Sequence, residues 1–387
     1  MLYRVLCCLA LALLLLVPLD ASAVAALPRV SGRSAALIDL QTGTLLGGYN
    51  QNVRIYPAST TKVLTAILVL EQAEMDEMVT ISRQAQDQEG TSLYTREGET
   101  YKLEDLMYAM LVQSCNDAAV ALAEHVAGTV EAFAAQMSQR AAELGATNSR
   151  FVNPNGLHDE NHYSTAADMA VIFAAAMRDQ TIRQITTTRV HRVTIGSGEE
   201  RILVNGNDLI LEYEGTIGGK TGYTTEAGQS LLTAAARGGM ELGAVVFKAQ
   251  GKSVWTDAKQ LLDFGFANWR TVSIVTPGQS VTAVPVRYGQ PALLVADQGA
   301  TLTVPASGDG VAFSQKVQLE QPLQAPLRAG EIVGVVTYYR GEQAVAQVPL
   351  RIATAVSRVW YSYWQVPLTL FMGYVGFSFR QRVRSQA

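Results

Sequence analysis

The chain has 387 residues and a formal net charge of −4 at pH 7. The charge is unevenly distributed, because residues 358–387 contain four arginines and no acidic residue. Residues 1–23 contain one basic and one acidic side chain, so the part in between, residues 24–357, carries a charge of −8. This negative balance argues against nucleic acid as a partner, since nucleic-acid-binding proteins carry basic patches.

The N-terminus has the pattern of a secretory signal peptide. Arg4 precedes an almost wholly apolar stretch from Leu6 to Leu19, and Ala21-Ser22-Ala23 then forms a small-residue cleavage site. We therefore expect residues 1–23 to be removed and the mature chain to be exported. Of the three cysteines only Cys115 would remain, so no intramolecular disulfide can form.

The first motif that suggests chemistry is Ser59-Thr60-Thr61-Lys62, which follows Pro57 and precedes an apolar, helix-like run from Val63 to Leu70. This order predicts Ser59 at a helix N-terminus, where free N–H groups favour negative charge, and Lys62 on the same face one turn later. A serine nucleophile needs an adjacent base. Lys62 can serve only if burial or a neighbouring cation lowers its pKa from about 10.4 towards neutrality. The alternative is a plain helix cap with a solvated lysine.

The second motif, Ser114-Cys115-Asn116, lies between an amphipathic helical pattern at Leu103–Val112 and an Ala-rich one at Asp117–Gly128. In an active site, Ser114 could relay a proton and the Asn116 amide could hold a substrate backbone. The alternative is a satisfied turn between two helices. Cys115 is not expected to be a nucleophile, since no histidine is placed to activate it.

The third motif, Lys220-Thr221-Gly222-Tyr223, lies in a glycine-rich strand. Two further strands, Gln229–Ala236 and Leu242–Phe247, are predicted to pair through a Gly238-Gly239 hairpin. Glycines inside the first strand indicate close approach of another backbone, such as a peptide along a sheet edge. Lys220 and Thr221 would then face a carboxylate; an exposed lysine on an edge strand is the alternative.

The remaining histidine pattern is weak. His158 and His162 are four residues apart in a loop-rich stretch, without a glutamate or third ligand in a zinc-protease pattern. We therefore expect no metal site and interpret both as solvated loop residues.

The C-terminal third changes character. Residues 268–355 contain short alternating apolar runs separated by Gly, Pro and Asp turns, which predict an all-β module without catalytic residues. The next segment, Val359 to Phe379, has no charge over 21 residues and is followed by an arginine-rich tail. That length just spans a bilayer core. We expect residues 358–387 to anchor the protein as a spanning helix, because no polar face is evident; a helix that lies on the membrane surface is the alternative.

Together, in this order, the three motifs resemble those of the low-molecular-weight penicillin-binding proteins, which are serine-type D-alanyl-D-alanine carboxypeptidases of peptidase family S11. The resemblance covers roughly residues 30–270. Further segments similar to the family are Ala35–Asp39, Thr42–Leu46, Phe151–Leu157, Tyr163–Met169 and Leu261–Phe266.

The resemblance implies an α+β fold of the β-lactamase/DD-peptidase-like type. The catalytic domain, residues 27–267, would contain a five-stranded antiparallel sheet flanked by helices. The all-β domain, residues 268–355, would be a stalk that raises the active site above the membrane, and residues 358–387 would be the anchor. The protein would then act at the extracytoplasmic face of the cell membrane.

The resemblance also implies the reaction. Ser59 would attack the penultimate D-Ala carbonyl of a peptidoglycan stem peptide, D-Ala would leave, and water would release the acyl chain without any cofactor or metal. The oxyanion would be bound by the backbone N–H groups of Ser59 and Tyr223. β-Lactam antibiotics would be covalent inhibitors. The implied catalytic residues are Ser59, Lys62 and Ser114, and the implied substrate-binding residues are Asn116, Lys220, Thr221, Gly222 and Tyr223.

One departure concerns the substrate carboxylate. Relatives often carry an arginine just before the closing helix, where this chain has Ser253-Val254-Trp255. Either Lys248 or Lys252 replaces it as a point charge, or Lys220 and Thr221 act without help.

Three other functions compete with the carboxypeptidase interpretation. A β-lactamase would need a glutamate that positions the deacylating water, but Asn153-Pro154-Asn155 stands where such a string is expected. A non-enzymatic wall-binding protein would be expected to have lost Ser59 or Lys62. A DD-endopeptidase would use identical chemistry, and that alternative stays open.

Overall fold

A computed structural model of the chain describes residues 27–195, 198–307, 312–359, 371–372 and 374–375. The predicted signal peptide and most of the predicted anchor lie outside these residues. The chain divides into two compact units, Met1–Arg270 with Pro305–Ser307, and Thr271–Val304 with Gly308–Ala387.

The first unit contains a five-stranded antiparallel sheet with helices on both faces, as the predicted fold class requires. A 3₁₀ turn, Ala58–Thr61, precedes its first helix. Its strands and helices, in chain order, are β1 Ser34–Asp39, β2 Leu45–Tyr49, α1 Lys62–Gln72, β3 Met78–Thr80, α2 Arg83–Gln86, β4 Thr100–Lys102, α3 Leu103–Val112, α4 Asn116–Ala127, α5 Val130–Glu143, α6 Ala166–Ala176, α7 Gln180–Thr187, β5 Val190–Thr194, β6 Glu200–Val204, α8 Leu209–Glu212, β7 Thr216–Thr224, β8 Gly228–Arg237, β9 Met240–Ala249 and α9 Ser253–Asn268.

The strand order in the main sheet is β2-β1-β9-β8-β7, so β7, which carries the Lys220 motif, lies at an edge. Successive residues of β1 face opposite cores: Ile38 packs with the helical layer, whereas Leu37 packs in the layer covered by α9. A strand buried on both faces favours apolar residues at successive positions, which explains the apolar run Ala35–Ile38. The predicted Gly238-Gly239 hairpin is confirmed, since both glycines have positive φ.

The second unit is all-β, as predicted. The strands of this part of the chain are β10 Trp269–Val275, β11 Ser280–Val284, β12 Ala292–Ala296, β13 Ala300–Pro305, β14 Ser314–Leu319, β15 Ile332–Arg340 and β16 Gln343–Ile352. The main sheet has the order β11-β12-β16-β15-β14, and β10 pairs with β13. Leu294, Val336 and Leu350 are fully buried in the core.

Within the described part of the chain, no single helix is long and apolar enough to cross a membrane. The pair α4 and α5 passes that test of length and composition only when joined across an 85° bend.

The expectation that both loop histidines are solvated was right for His158 and wrong for His162, which is buried. His162 Nδ1 accepts a hydrogen bond from the Val152 N–H at 3.2 Å, and Nε2 donates to Thr61 Oγ1 at 2.8 Å. Because Nδ1 accepts, the ring carries its single proton on Nε2 and is neutral. Burial lowers the pKa of His162 to about 4. Sequence alone missed this because the hydroxyl partner is 101 residues away.

Acid should therefore destabilise the first unit through His162. The pKa of this ring rises from about 4 in the folded state to its usual 6.5 on unfolding. As the pH falls from 6.5 to 4, the unfolded state binds a proton that the folded state does not, and about 3 kcal/mol of stability is lost. The variant His162→Gln, which does not titrate, should show a flatter pH dependence in urea unfolding. His158→Gln, at the exposed ring, is the control and should keep the wild-type profile; an unchanged profile in His162→Gln would contradict the assignment.

Candidate active site

Ser59 lies in the 3₁₀ turn ahead of α1, directly against the edge strand β7. A Cβ placed on Gly222 would lie 3.0 Å from the Ser59 nitrogen and 3.1 Å from the Thr60 nitrogen. Glycine at 222 therefore lets the strand approach these backbone N–H groups closely. A close approach of another backbone was predicted for this strand. In the structure that backbone is the chain's own 3₁₀ turn, Ala58–Thr61, which we call the nucleophile turn because it carries the predicted nucleophile Ser59.

Lys62 is completely buried, and its Nζ has three oxygen neighbours. They are Ser59 Oγ at 2.8 Å, Asn116 Oδ1 at 2.7 Å and the Asn155 carbonyl oxygen at 2.6 Å. Burial, and next the positive charge of Lys220, hold the pKa of Lys62 well below its usual value. As placed, Lys62 Nζ can donate to all three oxygens. The two carbonyl-type oxygens can only accept, so a neutral amine would give them its two N–H groups and keep its lone pair for the Ser59 hydroxyl.

The Asn155 carbonyl is a part of the site that sequence reasoning missed. Gly156, next to it, has φ +83°, and a Cβ there would lie 1.9 Å from the Ala58 carbonyl oxygen. Only glycine fits this position without moving the nucleophile turn. The Asn155 side chain is itself fixed, since its Nδ2 donates to Gln88 Oε1 at 2.8 Å. A glycine after Asn153-Pro154-Asn155 was the available signal, but a backbone carbonyl has no signature of its own in a sequence.

The Ser114 motif connects α3 to α4, and its Asn116 side chain contacts Lys62. Asn116 is buried; its Oδ1 accepts from Lys62, and its Nδ2 donates to the Glu89 carbonyl at 2.6 Å. Ser114 is half-buried with φ +70°, and its hydroxyl makes no hydrogen bond to any of the described residues. A serine held in this strained backbone conformation is the kind of residue that active sites retain.

Lys220 is buried on β7, and its Nζ donates to the Thr221 carbonyl at 3.0 Å. Burial lowers the pKa of Lys220 to about 7. The interpretation of this lysine as an exposed edge residue is therefore wrong. Thr221 is half-buried and Tyr223 is 61% exposed, so both line the open side of the strand. The possible substitutes for the missing arginine, Lys248 and Lys252, are both exposed.

Cys115 is fully buried between Ser114 and Asn116. Burial, and next the Asp117 carboxylate, raise the pKa of its thiol to about 12, against the opposing positive charges of Lys62, Lys220 and Arg201. A thiol with this pKa is almost entirely protonated at neutral pH and is a poor nucleophile.

The structure thus brings Ser59, Lys62, Asn116 and Gly222 into contact, and Lys220 close enough to act on the pKa of Lys62. The other predicted site residues lie within two positions of these in the chain: Ser114, Thr221 and Tyr223. The arrangement pairs a hydroxyl with a buried amine of lowered pKa beside backbone N–H groups. These are the components of nucleophilic acyl transfer with a lysine base.

Comparison with known proteins points to the same chemistry. The family model described as D-alanyl-D-alanine carboxypeptidase, peptidase S11, matches residues 21–251. D-alanyl-D-alanine carboxypeptidase DacF of Bacillus subtilis is 31% identical over 326 residues, which are 82% of this chain and 84% of that protein. DacB2 of Mycobacterium tuberculosis is 37% identical over 235 residues, 59% of this chain and 80% of that one.

The likeness extends to the second unit. The family model of the penicillin-binding protein 5 C-terminal domain matches residues 269–358. The crystal structure of penicillin binding protein 5 from Haemophilus influenzae superimposes with a TM-score of 0.69 at 29% identity, and covers 86% of this chain and 100% of that one. The peptidase S11 model matches more than half of the chain, and the geometry of the site agrees with it. This chain therefore belongs to the peptidase S11 family of D-alanyl-D-alanine carboxypeptidases.

Proposed function

We propose that this protein is a serine-type, penicillin-sensitive D-alanyl-D-alanine carboxypeptidase that removes the terminal D-Ala from peptidoglycan stem peptides. The observation that carries the proposal is the contact of 2.8 Å between Lys62 Nζ and Ser59 Oγ in a site closed to water on the lysine side. A hydroxyl and a neutral amine at this distance can exchange a proton directly.

In the acylation step, Lys62 takes the Ser59 proton while Ser59 Oγ bonds to the penultimate D-Ala carbonyl carbon. The backbone N–H groups of Ser59 and Tyr223 stabilise the oxyanion. Ser114, whose hydroxyl is uncommitted among the described residues, passes the proton from Lys62 to the amine of the leaving D-Ala. A water molecule then attacks the ester carbonyl carbon and the bond from that carbon to Ser59 Oγ breaks. One water proton returns to Ser59 Oγ, and the other is released as the shortened stem peptide leaves as a carboxylate.

Lys220 and Thr221 bind the terminal carboxylate of the substrate. Burial lowers the pKa of Lys220 to about 7, so near neutral pH the free enzyme contains both the neutral and the charged form of this lysine. A carboxylate that binds beside Lys220 favours the charged form of the lysine and raises its pKa. The substrate therefore stabilises the positive charge with which it pairs. This mechanism does not need the arginine that the chain lacks.

We further propose that the protein is exported and held at the outer face of the cell membrane by its C-terminal segment. The signal-like N-terminus and the 21 uncharged residues of Val359–Phe379 support this location. Where the chain enters that segment, the Val359 N–H donates to the Tyr288 carbonyl at 2.8 Å, and the Arg358 guanidinium lies 4.7 Å from the Tyr288 ring centroid. Aromatic and basic residues at this point suit a membrane interface.

Ser59→Ala should abolish covalent labelling by a fluorescent penicillin, whose strained amide mimics acyl-D-Ala-D-Ala, and should leave the fold intact. Lys62→Ala should slow acylation about a thousandfold, the typical effect of removing a general base. Gel fluorescence with time courses measures both. Lys102→Ala, at an exposed lysine, is the control and should label normally. Persistent labelling of folded Ser59→Ala would refute the nucleophile assignment.

Cys115→Ala should retain most of the D-Ala release from a peptide ending in D-Ala-D-Ala, because the raised pKa keeps the thiol protonated. The native thiol should also react slowly with iodoacetamide at pH 7 and rapidly after unfolding. A folded Cys115→Ala variant without activity would show that the thiol takes part in the chemistry.

Removal of residues 360–387 should release an active enzyme into the soluble fraction. The cut falls after Val356 and Val359, which hydrogen-bond within the second unit. In the full chain, a tag after Ala387 should resist protease added outside sealed, right-side-out vesicles if the segment spans the bilayer. Cleavage of that tag would exclude a spanning helix and favour a surface-lying one.

A further inference from the structure

The β5–β6 hairpin carries an arginine, Arg201, that has no acidic partner among the described residues. Arg201 is half-buried on β6 and shares its inward face with the buried Leu203, whereas the neighbouring Ile202 faces solvent. Arg201 forms no ion pair with any described residue. Arg192, on the outward face of the same hairpin, is paired instead with Glu200 at 3.2 Å.

The contact that holds Arg201 is an aromatic ring from the loop between α2 and β4. Its guanidinium carbon lies 5.0 Å from the ring centroid of Tyr94, a cation–π distance. Tyr94 is 69% exposed and has φ +60°, an uncommon backbone conformation for a tyrosine. A large aromatic side chain held exposed in this way is available to contact a ligand.

The Tyr94 loop is fastened to the second motif. The Asn116 N–H donates to the Thr91 carbonyl at 2.7 Å, and the buried Asp117 carboxylate accepts from the N–H groups of Leu93 and Thr95 at 3.0 and 3.1 Å. Tyr94 is therefore fixed relative to Asn116, and Arg201 is fixed through Tyr94.

The other end of the Arg201 strand leads to the third motif. A Cβ on Gly206 would lie 3.2 Å from Thr221 Oγ1. From Arg201 to Gly206 the chain can span at most about 17 Å. That is the reach of about five extended residues, so a peptide whose terminal carboxylate meets Thr221 can bring its upstream residues to Arg201. The positive charge of Arg201 also acts on a residue of the second motif. It lowers the pKa of Cys115, against the larger effect of burial, which raises it.

We propose that Arg201, supported by Tyr94, forms a subsite for a carboxylate of the stem peptide upstream of D-Ala-D-Ala. This inference rests on the proposed carboxypeptidase function. Stem peptides have two sources of such a group: the α-carboxylate of γ-linked D-glutamate, and the side-chain carboxylate of a diaminopimelate third residue. The planar guanidinium binds a carboxylate through two parallel hydrogen bonds, which gives selectivity between charged and neutral peptides.

The test compares D-Ala release by the full-length enzyme from three peptides. They are diacetyl-L-Lys-D-Ala-D-Ala, which has no upstream carboxylate, the same peptide with meso-diaminopimelate in place of lysine, and L-Ala-γ-D-Glu-L-Lys-D-Ala-D-Ala. The wild type should cleave at least one carboxylate peptide with a kcat/KM about tenfold higher than the neutral one. This ratio should fall at high salt. The peptide that shows the preference identifies which carboxylate is bound.

Arg201→Gln should bring the ratio close to one, and Arg201→Lys should restore part of it. Arg192→Gln, on the outward face of the same hairpin, is the matched control and should keep the wild-type ratio. An unchanged ratio in Arg201→Gln, or no preference in the wild type, would overturn the subsite and leave the carboxypeptidase function standing. Failure of the wild type to release D-Ala from all three peptides, or to bind penicillin, would overturn both.

Discussion

The Nζ of Lys62 lies out of contact with solvent and among three oxygens, which belong to Ser59, Asn116 and Asn155. These oxygens come from three separate parts of the chain: the nucleophile turn, the segment after α3 and the loop before α6. Transferring an ammonium from water into such a place is costly, and the amine avoids much of the cost by giving up its proton. The same burial that disfavours the charged lysine favours the neutral amine, which the proposed mechanism uses as the base for Ser59.

A buried amine constrains everything packed around it. Val63, Leu64 and Val69 of α1 are almost fully buried in the helical core, which fixes the helix that carries Lys62. The second lysine, Lys220, approaches from β7, and its positive charge adds to the effect of burial in lowering the pKa of Lys62. The two lysines differ in their surroundings: Lys62 Nζ has three oxygen neighbours, whereas Lys220 Nζ, also buried, donates to the Thr221 carbonyl.

Backbone geometry contributes as much to the site as side chains do. A Cβ on Gly156 would collide with the backbone of Ala58, and a Cβ on Gly222 would crowd the backbone nitrogens of Ser59 and Thr60. Ala58 and Ser114 adopt positive φ although neither is glycine. Such conformations cost free energy and persist only where surrounding contacts hold them. Here they shape the turn that carries Ser59 and the segment that leads into α4.

The sequence by itself determined the components that follow from local spacing. Ser59 and Lys62 are three residues apart at the start of a helix, so their contact follows from helical geometry. The Gly238-Gly239 pair specified the hairpin between β8 and β9, and the alternating runs after residue 268 specified an all-β unit. Motif order and family resemblance then indicated which distant segments meet.

Only the tertiary structure decided the contacts between residues far apart in the chain. The Asn155 carbonyl lies 93 residues from Lys62, and the hydroxyl bonded to His162 lies 101 residues from that ring. A backbone oxygen is present at every position, so its role is invisible in a sequence. Arg192 and Arg201 look alike in the sequence, yet one is paired on the solvent side and the other turns inward to Tyr94. The physical reason is that local patterns record which face a residue prefers, whereas long-range packing determines what that face meets.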